Sequence, residues 1–541
     1  MLYFIPAWYD QNTWFEKEQV WYVRRTHSEF DDTVKQIQMF HRKTDLDYSL
    51  LVLNHAPNLR HFLHRQSIFH APYWSCFDAI QEVQRKMVRT ISFHDLAWPD
   101  GIEFIYTPFC VIAMLNGRKY AQVEFGEIGN MILVDLFSER GLERRNIYDD
   151  RGFVSSSIIF QNNQPAFRDY YTAEGIRKCR LFCDSMRVEI NPDRPYFLFE
   201  KNGVWEQYSF AGLQYDSLED LVSEVVARYI AECSQEKDIF CVATHSQNVN
   251  MLAPLLSNKN TIFSFFENRF DLNCSEESAE CLRKSGFVVA DNQIHAKNIK
   301  ERLGIGEDKV VDISPYDTRE DEGISQHLYA HKILLPVDDI DEELFGDVIK
   351  VLGSYCLQNA KVNISLFTRD TVYNRKELLL EKVRNILTTH GIPRQLAVER
   401  EKNALENDLE LDHCVRQTFF VEQCFSELDV SKCLREQRVV LFLSSETELY
   451  LQILAVSLGI PQICSQQSEF VKDGQNGIII ENIENIPDIL NFYLKSVRNW
   501  NRAHILSYEV GKKYSTEVLL DKWKEVIASF GENTDFTGRR S

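Results

Sequence analysis

Two series of short apolar segments alternating with amphipathic helices, the first interrupted by a block of antiparallel texture, set the limits on how this chain can fold. MLYFIPAWY (Met1–Tyr9) has the pattern of a buried strand running into a loop. FDDTVKQIQMF (Phe30–Phe40) then places Val34, Ile37 and Phe40 at helical spacing, with Asp31 or Asp32 as the cap. DYSLLVLNH (Asp47–His55) is an apolar run of the kind that a parallel sheet covers on both faces. FDAIQEVQRKMVRTI (Phe77–Ile91) has a helical pattern. Strand–helix alternation of this sort predicts a doubly wound α/β unit.

From about Glu103 the pattern changes. Apolar, β-rich runs are broken by Asn116-Gly117 and again by Asn202-Gly203, and Asn-Gly between such runs is a hairpin signal. An antiparallel meander is expected over residues 104–215. The alternation then resumes with the helix DSLEDLVSEVVARYIAEC (Asp216–Cys233), the strands DIFCVATH and TIFSFF around a helix starting at MLAPLLS, and the strand GFVVAD (Gly286–Asp291). The meander is therefore expected to be inserted into the first α/β unit. KILLPVDD (Lys332–Asp339) opens a second series. It continues with strand KVNISLFT, helix NRKELLLEKVRNILTTHG, strands RQLAVER and RVVLFLS, and closing helices over 486–497 and 515–530. The expected organisation is a Rossmann-like domain from 1–103 and 216–330, an inserted β-meander domain at 104–215, a second Rossmann-like domain at 331–510, and a helix and tail at 511–541. Two doubly wound domains in tandem place any ligand at the carboxyl ends of their strands, in the cleft between them.

The 541 residues exceed what one core holds. A formal net charge of −20 leaves no general excess of cations to displace phosphate counterions, so nucleic acid is not an expected partner. One local cluster of base stands out, Arg140, Arg144, Arg145 and Arg151 within the meander, and it is the candidate contact for anionic lipid headgroups; a solvated loop is the alternative. Thirteen cysteines are scattered without C-x-x-C or zinc-finger spacing, which suits free thiols in a reducing compartment. Neither a metal nor a cofactor is expected. The N-terminus lacks the basic flank and cleavage site of a signal peptide, and no run of about 18 apolar residues spans a bilayer. A cytoplasmic protein, peripheral at the inner face of the membrane, is the expectation.

The segment LSSETELYLQILAVSLGIP (Leu443–Pro461) carries the chemistry. RVVLFLS leads into it as a buried strand, Ser444 or Ser445 is placed to cap the helix after it, and Ser445 with Glu448 has the spacing of a capping box. Here the residues resemble retaining glycosyltransferases of the two-Rossmann (GT-B) class. Ala455, Gly459 and Pro461 fit that pattern, and Glu469, Asp473, Gly474, Asn476 and Gly477 of SEFVKDGQNGIII match the downstream element. Glu446 holds the first acidic position of the family, but the second is Leu454. The resemblance implies that this second acid holds the ribose hydroxyls; Leu cannot, and hydroxyls buried without a partner cost about 1–3 kcal/mol. The family's Gly-rich turn has become Thr447, Glu448 and Leu449, which closes the approach of a diphosphate to backbone N–H groups. Where the family presents Arg and Lys to the diphosphate, this chain has VDDIDEE (Val337–Glu343). His245, ending a strand of the first domain, is a candidate acceptor-cleft residue and equally a hydrogen-bonded strand end.

The opening MLYFIPAWYD, with VWYVRR and FDDTVKQIQMF, is similar over the whole length to the accessory secretory protein one family of the accessory Sec system. That resemblance implies a GT-B fold with no transfer activity and no catalytic residues to carry over. It further implies work with two sister accessory secretory proteins and the accessory Sec ATPase, in export of a serine-rich-repeat glycoprotein adhesin. The rival expectation is an active GT-B glycosyltransferase with an unusual donor site.

Overall fold

The computed structural model describes residues 1–9, 20–22, 30–44, 46–318, 323–399, 416–444 and 448–536. Strands Leu2–Ile5, Tyr48–Val52 and Tyr73–Ser75 run in parallel to one side of the first sheet's centre. Ile239–Ala243, Asn260–Phe265, Phe287–Ala290 and Val310–Asp312 extend it to the other side, so the strand order reverses at Leu2–Ile5. Its strands are apolar on both faces because helices cover both. Helix Asp32–Lys43 starts at Asp31, whose carboxylate accepts the Val34 N–H, and buries Val34, Ile37 and Phe40.

Between Tyr73–Ser75 and the helix Leu218–Cys233 lies a ten-stranded sheet that starts at Glu103–Tyr106 and ends at Gln214–Tyr215. Its pairings are antiparallel, and a separate two-stranded hairpin, Tyr196–Lys201 with Val204–Ser209, accompanies it. Asn116 in the sheet and Asn202 in the hairpin adopt the left-handed backbone that their Asn-Gly turns demand. The later strands of the sheet share a core with the first domain: Tyr170, Cys179, Leu181 and Val188 pack in one cluster with Phe77, Leu221 and Val225. The earlier strands keep their own small core around Ala113, Val123 and Val134.

The second parallel sheet has the order Phe419–Gln423, Val362–Thr368, His331–Pro336, Gln437–Phe442, Gln462–Cys464, Gly477–Ile479, with its reversal at His331–Pro336. The chain then returns. Helix Thr516–Phe536 leaves the second sheet and lays Leu519, Trp523, Val526 and Phe530 on the first domain, where Trp523 meets Phe40 edge-on and Phe530 meets Phe287.

Several expected elements differ. The helix over Phe77–Ile91 stops at Ile80, because the Gln81 amide donates to the Ser155 and Tyr171 carbonyls of the meander and Glu82 turns into the left-handed region. The helix expected from MLAPLLS starts earlier, at Ser246. RQLAVER forms a short 3-10 turn, Arg394–Ala397, and the edge strand is Phe419–Gln423 instead. The closing helices are three: Ile486–Leu494, Val497–Gly511 and Thr516–Phe536.

Candidate functional site between the two parallel sheets

Residues that follow the strands of one parallel sheet meet those that follow the strands of the other. Phe266 and Tyr316 from the first domain pack in one buried cluster with Leu449, Ile453 and Phe470 from the second. Phe30 crosses from the first domain into the core of the second and meets Tyr450 edge-on at 5.1 Å. The region where two doubly wound domains would place a ligand is thus floored by apolar side chains of the protein itself.

Charge sits on that floor in pairs. Arg369, just past strand Val362–Thr368, forms an ion pair with Glu448, the residue preceding helix Leu449–Ser457. The Arg369 guanidinium also lies 3.6 Å from the centre of the Phe30 ring. Burial, opposed by Arg369 and reinforced by Glu267, Asp338 and Asp339, pushes the Glu448 carboxyl up to about 7. The acids expected to confront a diphosphate are likewise engaged. Asp338 accepts from the Thr368 hydroxyl and the Arg369 N–H and lies 3.6 Å from Arg375, while Asp341 caps helix Glu342–Gln358. Arg369 and Arg375 were not singled out from sequence; for Arg369, a base directly behind the strand KVNISLFT was the available signal.

The downstream element is engaged within the protein itself. The Glu469 carboxylate accepts the Gln293 N–H at 2.5 Å, at the start of helix Gln293–Leu303 of the first domain, and the Tyr514 hydroxyl at 2.9 Å. Burial pushes its carboxyl upward. Asn476 is fully buried: its amide donates to the Phe470 carbonyl and its oxygen accepts the Lys472 N–H. Gly474 takes the left-handed conformation of that turn, and Asp473 accepts the Ile479 N–H. Leu454 packs against the apolar cluster of Leu334, Val440 and Leu451. Glu446 and Ser445 lie outside the described residues, so the capping box falls there too. Glu448 makes no side-chain cap and turns to Arg369 instead.

On the first-domain wall, Asp32 accepts from Arg269 and from the Ser264 hydroxyl, and Arg269 also donates to the Thr244 carbonyl. His245 begins helix Ser246–Leu255, and its Nδ1 accepts the Gln247 N–H. Burial and nearby Arg269 hold it down at about 4, so it is neutral near pH 7.

The four arginines of the meander do not form one surface. Arg140 and Arg144 are exposed. Arg145 makes a two-pronged pair with Asp135. Arg151 is 2% exposed and lies between Asp78 and Asp149, inside the joint with the first domain, so its charge cannot face a lipid layer. Among the described residues, no group of His, Cys, Asp and Glu is arranged to hold a metal ion, and no helix is long and apolar enough to cross a membrane.

Comparison with known proteins follows the same lines. The family of accessory secretory protein 1 of the accessory Sec system matches residues 1–529. The member of that family from Staphylococcus aureus is 31% identical over 538 residues, covering 98% of this chain and 99% of that protein. In the crystal structure of accessory secretory proteins 1, 2 and 3 of Streptococcus pneumoniae, one chain superimposes with a TM-score of 0.79 at 27% identity, over 98% of this chain and 100% of that one. The pneumococcal O-GlcNAc transferase GtfA, solved with UDP and GlcNAc, superimposes at 0.66 with 12% identity over 98% of both, a likeness of fold alone. The fold is that of GT-B glycosyltransferases. With the family matched over nearly the full length and the fold shared, the chain belongs to the accessory secretory protein 1 family of the accessory Sec system.

Proposed function

We propose that this protein is a non-catalytic, glycosyltransferase-shaped adaptor of the accessory Sec system. It works with two sister accessory secretory proteins and the accessory Sec ATPase to deliver a serine-rich-repeat glycoprotein adhesin for export. The observation that carries this is Glu469. In an active site of this shape that carboxylate would be kept for a ligand; here it ties the second domain to the backbone of the first through Gln293 and also accepts from Tyr514. Arg369 and Glu448, both of the second domain, are likewise engaged with each other. The Glu469–Gln293 bond, with Phe30 of the first domain seated against Tyr450 and Arg369 of the second, holds the two domains in one arrangement, which suits a scaffold presenting fixed surfaces better than an enzyme that opens and closes around a donor. The pneumococcal relative, crystallised with accessory secretory proteins 2 and 3, supports the partners.

Co-purification tests the proposal. The full chain is expected to bring down its cognate accessory secretory proteins 2 and 3 and the ATPase; a chain that recovers none of them would end the adaptor reading. Membrane association through Arg140 and Arg144 is a narrower part of the same proposal. Flotation with phosphatidylglycerol vesicles checks it, and indifference to vesicles with and without partners removes it.

A further inference from the structure

Buried arginines of this protein are met by acceptors. Arg60 pairs with Asp149 and Asp150, Arg151 with Asp78 and Asp149, and Arg269 with Asp32, while Arg168 reaches the Ser156 hydroxyl and the His55 ring. Arg438 differs: among the described residues its Nε and Nη1 meet no acceptor of any kind, and it has no carboxylate partner. It sits at the start of strand Gln437–Phe442 in a bulge: Lys332 pairs with Gln437 and Ile333 with Val439, which leaves Arg438 as the extra residue. It is 8% exposed, and its guanidinium lies 3.9 Å from the centre of the Trp500 ring. Trp500, 3% exposed, is fixed beneath it by donating its indole N–H to the Arg438 carbonyl. Nε and Nη1 are enclosed with no acceptor among the described residues. Burial pushes the Arg438 pKa down, and no acid opposes that shift.

The surroundings add base. His331, at the start of the neighbouring strand, is lowered by burial, by Arg438 and by Lys361. Lys361 is exposed, and its ammonium lies 4.9 Å from the ring of Tyr329, itself 74% exposed. The nearest acid in sequence, Glu436, is engaged by Lys332, which alternates to the other face of its strand. In a chain of net charge −20, this corner of the second sheet gathers three basic side chains and two aromatic rings.

We propose that Arg438 and Lys361, with Tyr329 at the rim, form a docking site for a carboxylate carried by an acidic segment of a partner protein. A buried cation without a counter-charge lowers stability, so keeping one in place points to a use outside the folded chain. The burial of Arg438 selects the source of the anion. A flat lipid layer is met by protruding Lys and Arg, whereas a cation sunk beside Trp500 is reached by a side chain that projects from a protein. The inference rests on the adaptor function proposed above.

Two variants of the full chain test it: Arg438→Met, which keeps the packing on Trp500 without the charge, and Lys361→Glu, which reverses the exposed charge. Sodium acetate at constant ionic strength is expected to raise the thermal midpoint of the wild-type chain but not of Arg438→Met. The midpoint of that variant in chloride should equal or exceed the wild-type value. Both variants should capture purified cognate accessory secretory proteins 2 and 3 at least about tenfold more weakly. Undiminished capture by both variants overturns the site and leaves the adaptor function standing. A large fall in the Arg438→Met midpoint, with no acetate effect on wild type, makes Arg438 structural and also overturns it. A wild-type chain that captures neither protein overturns the adaptor function and the partner assigned here, while the acetate shift still shows whether an anion site exists. Vesicle binding that depends on Arg438, without dependence of capture on it, assigns the site to lipid and overturns the protein partner.

Discussion

At the level of single residues, the positions that resemble a sugar-nucleotide site meet ordinary structural demands. Gly477 is needed because it opens strand Gly477–Ile479 where a β-carbon would run into the Gln462 carbonyl and the Val471 side chain. Gly477→Ala should therefore cost about 1–3 kcal/mol in urea unfolding, although the position has the sequence look of a ligand loop. Glu448 makes a pH prediction. Its carboxyl rises from 4.5 to about 7 in the folded protein, so it favours folding fully below 4.5 and loses that contribution as the pH rises through about 7. Thermal midpoints of Glu448→Gln, compared with wild type from pH 5 to pH 8, should fall less steeply; parallel curves would show that the carboxyl is not raised. Glu469 illustrates what sequence leaves out. Its identity and place in the motif were legible, but its partners, a backbone N–H 176 positions away and Tyr514, depend on how the two domains face each other.

Among helices and strands, alternation and turn chemistry carried most of the information. Parallel strands buried on both faces read as apolar runs, and the Asn-Gly pairs mark hairpins directly. The failures have separate causes. Phe77–Ile91 has helical spacing, but Gln81 finds better acceptors in the meander, a tertiary preference that no local pattern encodes. Strand Phe419–Gln423 is only five residues long at a sheet edge, and a strand that short gives little period to count. The joint between meander and first domain is similarly invisible in sequence, since Arg60, Arg151, Asp78, Asp149 and Asp150 come from distant segments. Arg151→Ala leaves buried Asp149 and nearby Asp78 short of a partner and should cost about 3–5 kcal/mol, measured by urea unfolding. Its failure to destabilise would mean the joint is held by the shared apolar core alone.

For the protein as a whole, the question is whether the two domains act as one body. The connections are spread along the seam: Lys35 with Glu427, Glu469 with Gln293, Phe30 against Tyr450, and the returning helix Thr516–Phe536. Trp523→Ala empties a site that is 1% exposed under that helix and should cost about 3–5 kcal/mol, lowering the midpoint of the first domain most. If the seam holds itself closed with the very groups a donor nucleotide would need, UDP-GlcNAc finds nothing to bind. Isothermal titration calorimetry of the intact chain with that compound should then give no binding heat at millimolar ligand, whereas micromolar affinity accompanied by release of UDP would contradict it.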